Sequence, residues 1–262
     1  MNSDLTQIPP QGHFATVNDM QMYYEVYGEG TPLVLLHGFA DSALSWHPFI
    51  GEFAKHFRVI VPHLRGHGRT LDPTNQFTLA QAALDVFALL DQLGVERFKA
   101  IGGSGGGCSL QYMATQQPAR LEAIILACCA AYFPEPTRAA LLAEVDDAEL
   151  EELQHKHIQG ISQLRSLLNQ LPKIVDSYNA QPPDLSKITA KTLIVWGDRD
   201  ELCSVAMAVE MYTAIAHAYL WVVPNAGHSC IILERDKEGT VFLHTALEFL
   251  QDAWQQALRS SN

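Results

Sequence analysis

Along the chain, short and nearly unbroken runs of aliphatic and β-branched residues alternate with longer stretches in which apolar positions recur every three or four residues. The runs PLVLLH (residues 32–37), RVIVPH (58–63), FKAIGG (98–103), AIILAC (123–128), TLIVWG (192–197) and YLWVVP (219–224) are almost wholly apolar, as strands covered on both faces must be. QMYYEVYGE adds a strand, in a hairpin with the region from His13 to Val17. The alternation predicts repeated β-α units around a mainly parallel sheet.

The intervening segments carry helix punctuation. Thr78 followed by Gln81 is a capping-box start; Leu79, Ala83, Val86, Phe87, Leu90 and Leu93 then keep helical spacing until Gly94. A second helix is expected from about Ser104 to Gln117, before Pro118, and a third from Glu238 to Ala257. About 60 residues separate AIILAC from TLIVWG, whereas a crossover containing one helix needs only about 30 residues. The excess predicts an insertion of three helices, TRAALLAEV, DDAELEELQHKHIQG and ISQLRSLLNQL, the last interrupted by Pro172. Its apolar faces have too little partner surface of their own. Residues 131–187 are therefore expected to form a small helical cap on a core made of residues 1–130 and 188–262.

Composition narrows the function classes. The 262 residues are 48% hydrophobic, enough for a sizeable core, and 17 Lys and Arg against 29 Asp and Glu give a net charge of -12. With no basic run to neutralise phosphates, nucleic acid is not an expected partner. Five cysteines, odd in number and without a C-x-x-C pair, argue against a disulfide framework and a zinc knuckle, and fit reduced thiols in a cytoplasm. There is no basic-then-apolar leader pattern, and AIILACCAAYF falls short of the roughly 20 residues that span a bilayer. Among the 11 histidines, His155 and His157 lie two apart on an expected helix and face different ways, while His63 and His67 have no acidic or cysteine ligand nearby, so no metal is expected.

The remaining signal is the cluster IGGSGGGCS, residues 101–109. It is not a Walker loop, because no lysine is near, and the dinucleotide fingerprint would require a glycine where Cys108 stands. A flexible linker is out of place between a strong strand and a strong helix. G-x-S-x-G, written Gly102-Gly103-Ser104-Gly105-Gly106, fits a sharp strand-to-helix turn that presents Ser104 as a nucleophile. In this context the chain resembles the α/β-hydrolase superfamily, specifically its capped serine hydrolases. The resemblance runs from about Met22 to Leu250 except the cap, and implies a mainly parallel eight-stranded sheet flanked by helices, with the cap inserted between strands 6 and 7.

The resemblance also implies a site. TLIVWGDRDE matches the strand followed by G-x-x-D, placing the acid at Asp200 in preference to Asp198, and NAGHSCIILE matches the histidine loop, placing the base at His228 in preference to His217 or His244. LLHGFADSALSW resembles the oxyanion loop, implying that the backbone N–H groups of Phe39 and Gly105 meet the oxyanion, with His37 as a structural hydrogen-bonding residue. VIVPHLRGHGRT departs from the family in having His63 where an aspartate is common, which puts local hydrogen bonding in doubt. Trp46, Tyr132 and Phe133 are candidates for an apolar pocket. The implied activity is cofactor-free hydrolysis of a small carboxylic ester or lactone through an acyl-enzyme, with kcat/KM rising through a pKa of about 6 to 7. Serine at position 104 disfavours dehalogenase and epoxide hydrolase chemistry, where the family uses an aspartate. C–C bond hydrolysis, perhydrolysis, hydroxynitrile-lyase-type cleavage and a non-turnover receptor for a small molecule stay open.

Overall fold

Each apolar run becomes a strand in the structure, a computed structural model that describes residues 11–143, 145–231 and 238–254. The strands are β1 (Gly12–Val17), β2 (Met20–Tyr27), β3 (Pro32–Leu36), β4 (Arg58–Pro62), β5 (Phe98–Gly103), β6 (Leu121–Ala127), β7 (Lys191–Gly197) and β8 (Ala218–Val223). They form one sheet in the order β1-β2-β4-β3-β5-β6-β7-β8. β2 runs antiparallel to β1 and β4, and the other pairs are parallel.

Successive residues of a strand point to opposite faces, and here both faces are covered. Val34, Leu36, Ile60, Ile124, Ile194 and Trp196 pack on one side, Leu33, Leu35, Val59, Ile125, Leu193 and Val195 on the other. That two-sided burial is why the runs lack a polar face. Helices α2 (Leu79–Gln92), α3 (Gly105–Gln116) and α7 (Val205–Ala214) contribute to the first layer, α1 (His47–Phe53) and α8 (Glu238–Leu250) to the second. The insertion supplies α4 (Glu135–Leu141), α5 (Asp147–Gln154) and α6 (Ile161–Ala180). No helix among the described residues is long and apolar enough to cross a membrane.

Four local expectations need correction. The capping box is half formed: Thr78 Oγ1 accepts from Gln81 N at 3.1 Å, but the Gln81 side chain donates to Asp85 instead of reaching back. Asp85 attracts it because this fully buried carboxylate is the bidentate partner of Arg65. Pro172 does not interrupt its helix; α6 runs through it for 20 residues. The ring costs one backbone hydrogen bond, offset because Leu164 and Leu167 before it and Ile174, Val175 and Tyr178 after it are all buried. Residues 155–160 form turns, not the end of α5. The helix expected to reach Ala257 ends at Leu250, and residues beyond 254 lie outside the described residues.

The loops at the carboxyl ends of β3 and β4 are stapled by four buried imidazoles. His37 Nδ1 donates to Gly38 O and its Nε2 accepts from Leu64 N. His67 Nδ1 donates to Arg65 O, and His157 accepts from Gly68 N while donating to Ala40 O. His63, at the position that departs from the family pattern, keeps one loop bond by accepting from Arg69 N at 2.8 Å; its Nε2 has no partner among the described residues and its ring meets that of Tyr23 edge-on at 4.6 Å.

Burial pushes the pKa of all four rings down, that of His157 to about 4 and those of His63 and His67 well below the ordinary 6.5. The unfolded chain therefore binds protons that the folded chain refuses. Stability is full above about pH 6.5 and should fall as pH drops below it, by up to about 1.4 kcal/mol per pH unit for each imidazole. Melting temperatures taken from pH 7.5 to 4.5 should decline steeply below 6.5; a flat series would contradict the neutral staples.

Candidate active site

Parallel register aligns the ends of five strands. Leu36 pairs with Gly102, Gly103 with Ala127, Ala127 with Val195 and Gly197 with Val223. The loops that follow β3, β5, β6, β7 and β8 thus share one rim, and β3 lies between β4 and β5 where the strand order reverses. Such a reversal opens a crevice outside the carboxyl ends of the strands.

Ser104 occupies that crevice on the turn between β5 and α3. Its backbone sits at φ 49° and ψ -123°, left-handed geometry that costs a non-glycine residue on the order of 1–3 kcal/mol. Ser104 N donates to Ala127 O and Ser104 O accepts from Cys108 N, at 2.9 and 3.0 Å. The turn also demands close approach of backbone to backbone. A Cβ at Gly106 would lie 2.4 Å from both Leu36 O and His37 O, and one at Gly102 would lie 2.7 Å from Gly106 O.

Asp200 and His228 arrive from neighbouring loops tied to each other: Asp198 N donates to Val223 O and Arg199 N to Ala226 O. His228 Nδ1 lies 2.9 Å from Asp200 Oδ2, and its Nε2 lies 2.9 Å from Ser104 Oγ. The Asp200 side chain has no exposed surface, and its Oδ1 also accepts from Leu202 N and Cys203 N, both at 2.9 Å. Because the carboxylate can only accept, Nδ1 carries the proton and Nε2 presents its lone pair to the serine hydroxyl. Burial alone depresses the His228 pKa, but the hydrogen bond and charge of Asp200 outweigh it and hold the pKa above 6.5. The rivals lie elsewhere. Asp198 sits 3.8 Å from the Arg199 guanidinium, His217 is exposed, and His244 pairs with Glu248 on the surface.

Phe39 and Gly105 are also brought together: a Cβ on Gly105 would lie 3.0 Å from Phe39 N. Neither N–H finds an acceptor among the described residues, and Gly105 opens α3, whose first N–H groups have no intrahelical partner. A cavity of about 570 Å³ reaches Ser104 and His228. Trp46 and Phe49 line it from the core, Leu141, Leu153, Leu168 and Leu171 from the insertion. A smaller recess of about 60 Å³ beside Ser104 is lined by Phe133 and Ile174.

Tyr132 corrects the expectation that placed it in the pocket: it is 39% exposed and donates to Glu210 on the surface. Sequence reasoning missed Cys128, Cys230 and Ile231, which line the main cavity. The position of Cys128 directly after β6, on the same rim as Ser104, was the available signal.

Asp200, Cys203 and His228 bring potential ligand atoms within 4.8 Å of one another. They are poorly suited to a metal, because both His228 nitrogens and the Asp200 carboxylate are engaged and burial pushes the Cys203 thiol far up, keeping it protonated.

A family profile described as the alpha/beta hydrolase fold matches residues 31–154. Soluble epoxide hydrolase of Corynebacterium sp. is 39% identical over 102 residues, which cover 39% of this chain and 36% of that protein. The first curated relatives are likewise matched over about a third of their length, 35% in each of three mycobacterial proteins. A 2-hydroxy-6-oxononadienedioate/2-hydroxy-6-oxononatrienedioate hydrolase of Pseudomonas putida is 28% identical and aligns over 80% of this chain and 86% of its own. Among solved structures, the enol-lactonase of Burkholderia xenovorans superposes with a TM-score of 0.76 at 23% identity, covering 91% of this chain and 100% of that one.

The close approach at Gly106 is directly testable. Gly106→Ala must push α3 away from β3 or distort the serine turn, and should destabilise the protein by about 2–3 kcal/mol or more, read as a loss of melting temperature. Leu84→Ala, on the exposed face of α2, should leave the melting temperature nearly unchanged.

Proposed function

We propose that this chain, which has the alpha/beta hydrolase fold, belongs to that superfamily and is a serine hydrolase cleaving a small carboxylic ester or lactone through an acyl-enzyme. The observation that carries this reading is the unbroken hydrogen-bond path from the buried Asp200 carboxylate through His228 to Ser104 Oγ. In the proposed reaction His228 Nε2 takes the Ser104 proton as Oγ attacks the carbonyl carbon. The N–H groups of Phe39 and Gly105 meet the developing oxyanion, and His228 then gives its proton to the departing alkoxide. A water molecule, deprotonated by the same imidazole, attacks the acyl-enzyme and releases the acid. Asp200 holds the imidazole in the tautomer that both steps need and stabilises its positive charge. No step calls for a cofactor.

Residues 131–187 act in this reading as a cap on the core formed by 1–130 and 188–262, supported by the leucines that the insertion contributes above Ser104. Five buried free thiols support a reducing, cytoplasmic setting. The substrate class follows from the walls. The main cavity is mostly apolar but also lined by Asp41, Glu149 and Glu152; no arginine lines it among the described residues, and its one lysine, Lys156, is 3.3 Å from Asp41, so an anionic substrate is disfavoured. An uncharged small ester or lactone fits such walls. Hydrolysis of a C–C bond is the second reading, favoured by the resemblance to the dienedioate hydrolase over most of both chains. The epoxide hydrolase likeness carries less weight, because Ser104 stands at the nucleophile position.

Ser104→Ala should lower kcat for short p-nitrophenyl esters by at least about 10³-fold, with labelling by a fluorophosphonate lost in parallel. Ligand-induced thermal stabilisation without turnover in the unaltered protein would instead favour a receptor. Faster turnover of a vinylogous 1,5-diketone than of any ester or lactone would favour the C–C reading. For the pH dependence, the neutral imidazole is the active form, so kcat/KM should rise with pH through a pKa above 6.5, higher than the residue type alone suggests. Asp200→Asn should lower kcat by roughly 10³–10⁴-fold and move the midpoint of that rise downward; an unmoved midpoint would remove Asp200 from the role.

A further inference from the structure

Two of the cysteines meet. Cys128 follows β6 at the cavity wall, Cys230 lies two residues beyond His228, and their sulfurs are 2.7 Å apart across 102 positions of sequence. Unbonded sulfurs do not approach this closely without repulsion, and a disulfide holds them at about 2.0 Å, so the backbone has already brought the pair to within an ångström of a bond. Cys128 is fixed there by a left-handed backbone at φ 47° and by its N–H donating to Val195 O at 2.9 Å. Both side chains are buried, at 3% and 4% exposure, yet both line the 570 Å³ cavity that opens beside Ser104. The cavity gives a small oxidant a route to both sulfurs.

We propose that Cys128 and Cys230 form an oxidisable dithiol site that a peroxide closes to a disulfide, fastening the His228 loop covalently to the end of β6. The order of events follows from the surroundings. The hydrogen bond from Cys230 and the nearby His228 pull the Cys128 thiol down, and the same contact with Cys128, reinforced by burial, pushes Cys230 up. Cys128 is therefore the thiolate that attacks the peroxide oxygen, breaking the O–O bond, releasing hydroxide or alkoxide and becoming a sulfenic acid. Cys230 then attacks the sulfenyl sulfur; the S–S bond forms as the S–O bond breaks, and the hydroxide leaves as water with the Cys230 proton. Two thiols and one peroxide give one disulfide, one water and one water or alcohol. The remaining cysteines are less suited, since burial raises Cys108, Cys129 and Cys203.

The site is tested without reference to turnover, so its outcome is independent of the proposed hydrolase activity. Full-length protein treated with one equivalent of hydrogen peroxide, then denatured and alkylated, should carry three alkylated thiols in place of five, with a non-reducing peptide map joining Cys128 to Cys230 and dithiothreitol restoring all five. The oxidised protein should melt on the order of 5 °C or more above the reduced form, because the bond closes a long loop in the unfolded chain. Cys230→Ser should halt at the Cys128 sulfenic acid, trapped by dimedone. Five alkylated thiols after peroxide, a cross-link between another pair, or oxygen adducts without a cross-link would each overturn the proposal. The peptide map of the unaltered protein decides the matter should the variant fail to fold.

Discussion

The left-handed backbone at Ser104 is the constraint on which the arrangement rests. Only that turn lets β5 end, present a hydroxyl beyond the sheet and start α3 within a single residue. Its cost of about 1–3 kcal/mol is opposed by two backbone hydrogen bonds at the serine itself and by the burial of Leu110, Met113 and Ala114 on the helix that follows. The same turn brings α3 against β3 so tightly that a methyl group at position 106 would collide with two carbonyl oxygens. Gly102 and Gly106 are thus a condition of contact between backbones, and the N–H groups of Gly105 and Phe39, without acceptors among the described residues, lie side by side there.

Histidine shows how much the environment decides. Five imidazoles stand along the same rim, and burial opposes the charged form in each. At His228 a carboxylate directly hydrogen-bonded to Nδ1 reverses the outcome. At His37 the Asp41 charge acts without such a bond and burial wins. The four depressed rings serve as neutral hydrogen-bonding groups that hold loops in place, His37 and His157 through both ring nitrogens, His63 and His67 through one. The single elevated ring keeps a basic nitrogen in reach of a hydroxyl.

The sheet was legible because its strands, buried on both faces, leave an unmistakable run of apolar letters. The serine turn was legible because tight backbone contact admits almost no residue but glycine. Asp200 and His228 were reached only through resemblance, since nothing local distinguishes Asp200 from Asp198. What separates them is the pair of N–H donors from Leu202 and Cys203 and the reach to a residue 28 positions on. Tyr132 and Phe133 were indistinguishable as letters, yet one faces solvent and the other the recess. Pro172 misled because propensity was weighed without the buried side chains on both sides of it. The approach of Cys128 to Cys230 had no sequence signal at all, being a product of parallel register and of the loop after β8.

The insertion is held unevenly, and this bears on how the cavity can be shaped. The start of α6 and the turn before it are fastened to the β4 loop: Gln163 donates to Gly66 O and Gly68 O, and Ile158 N donates to Gly68 O. Further along, Gln170 accepts from Phe77 N and Tyr178 donates to Ala130 O. By contrast α5 has no buried residue, and α4 buries only Thr137, whose hydroxyl donates to Leu202 O. Local opening is cheapest where few apolar groups are buried. The walls built by Trp46, Phe49 and α6 therefore set a firm boundary, whereas those built by Leu141 and Leu153 yield at lower cost. In the proposed reaction, size selection would be strict toward the core and permissive toward α4 and α5, confining the reacting carbonyl more tightly than the group that projects beneath those two helices.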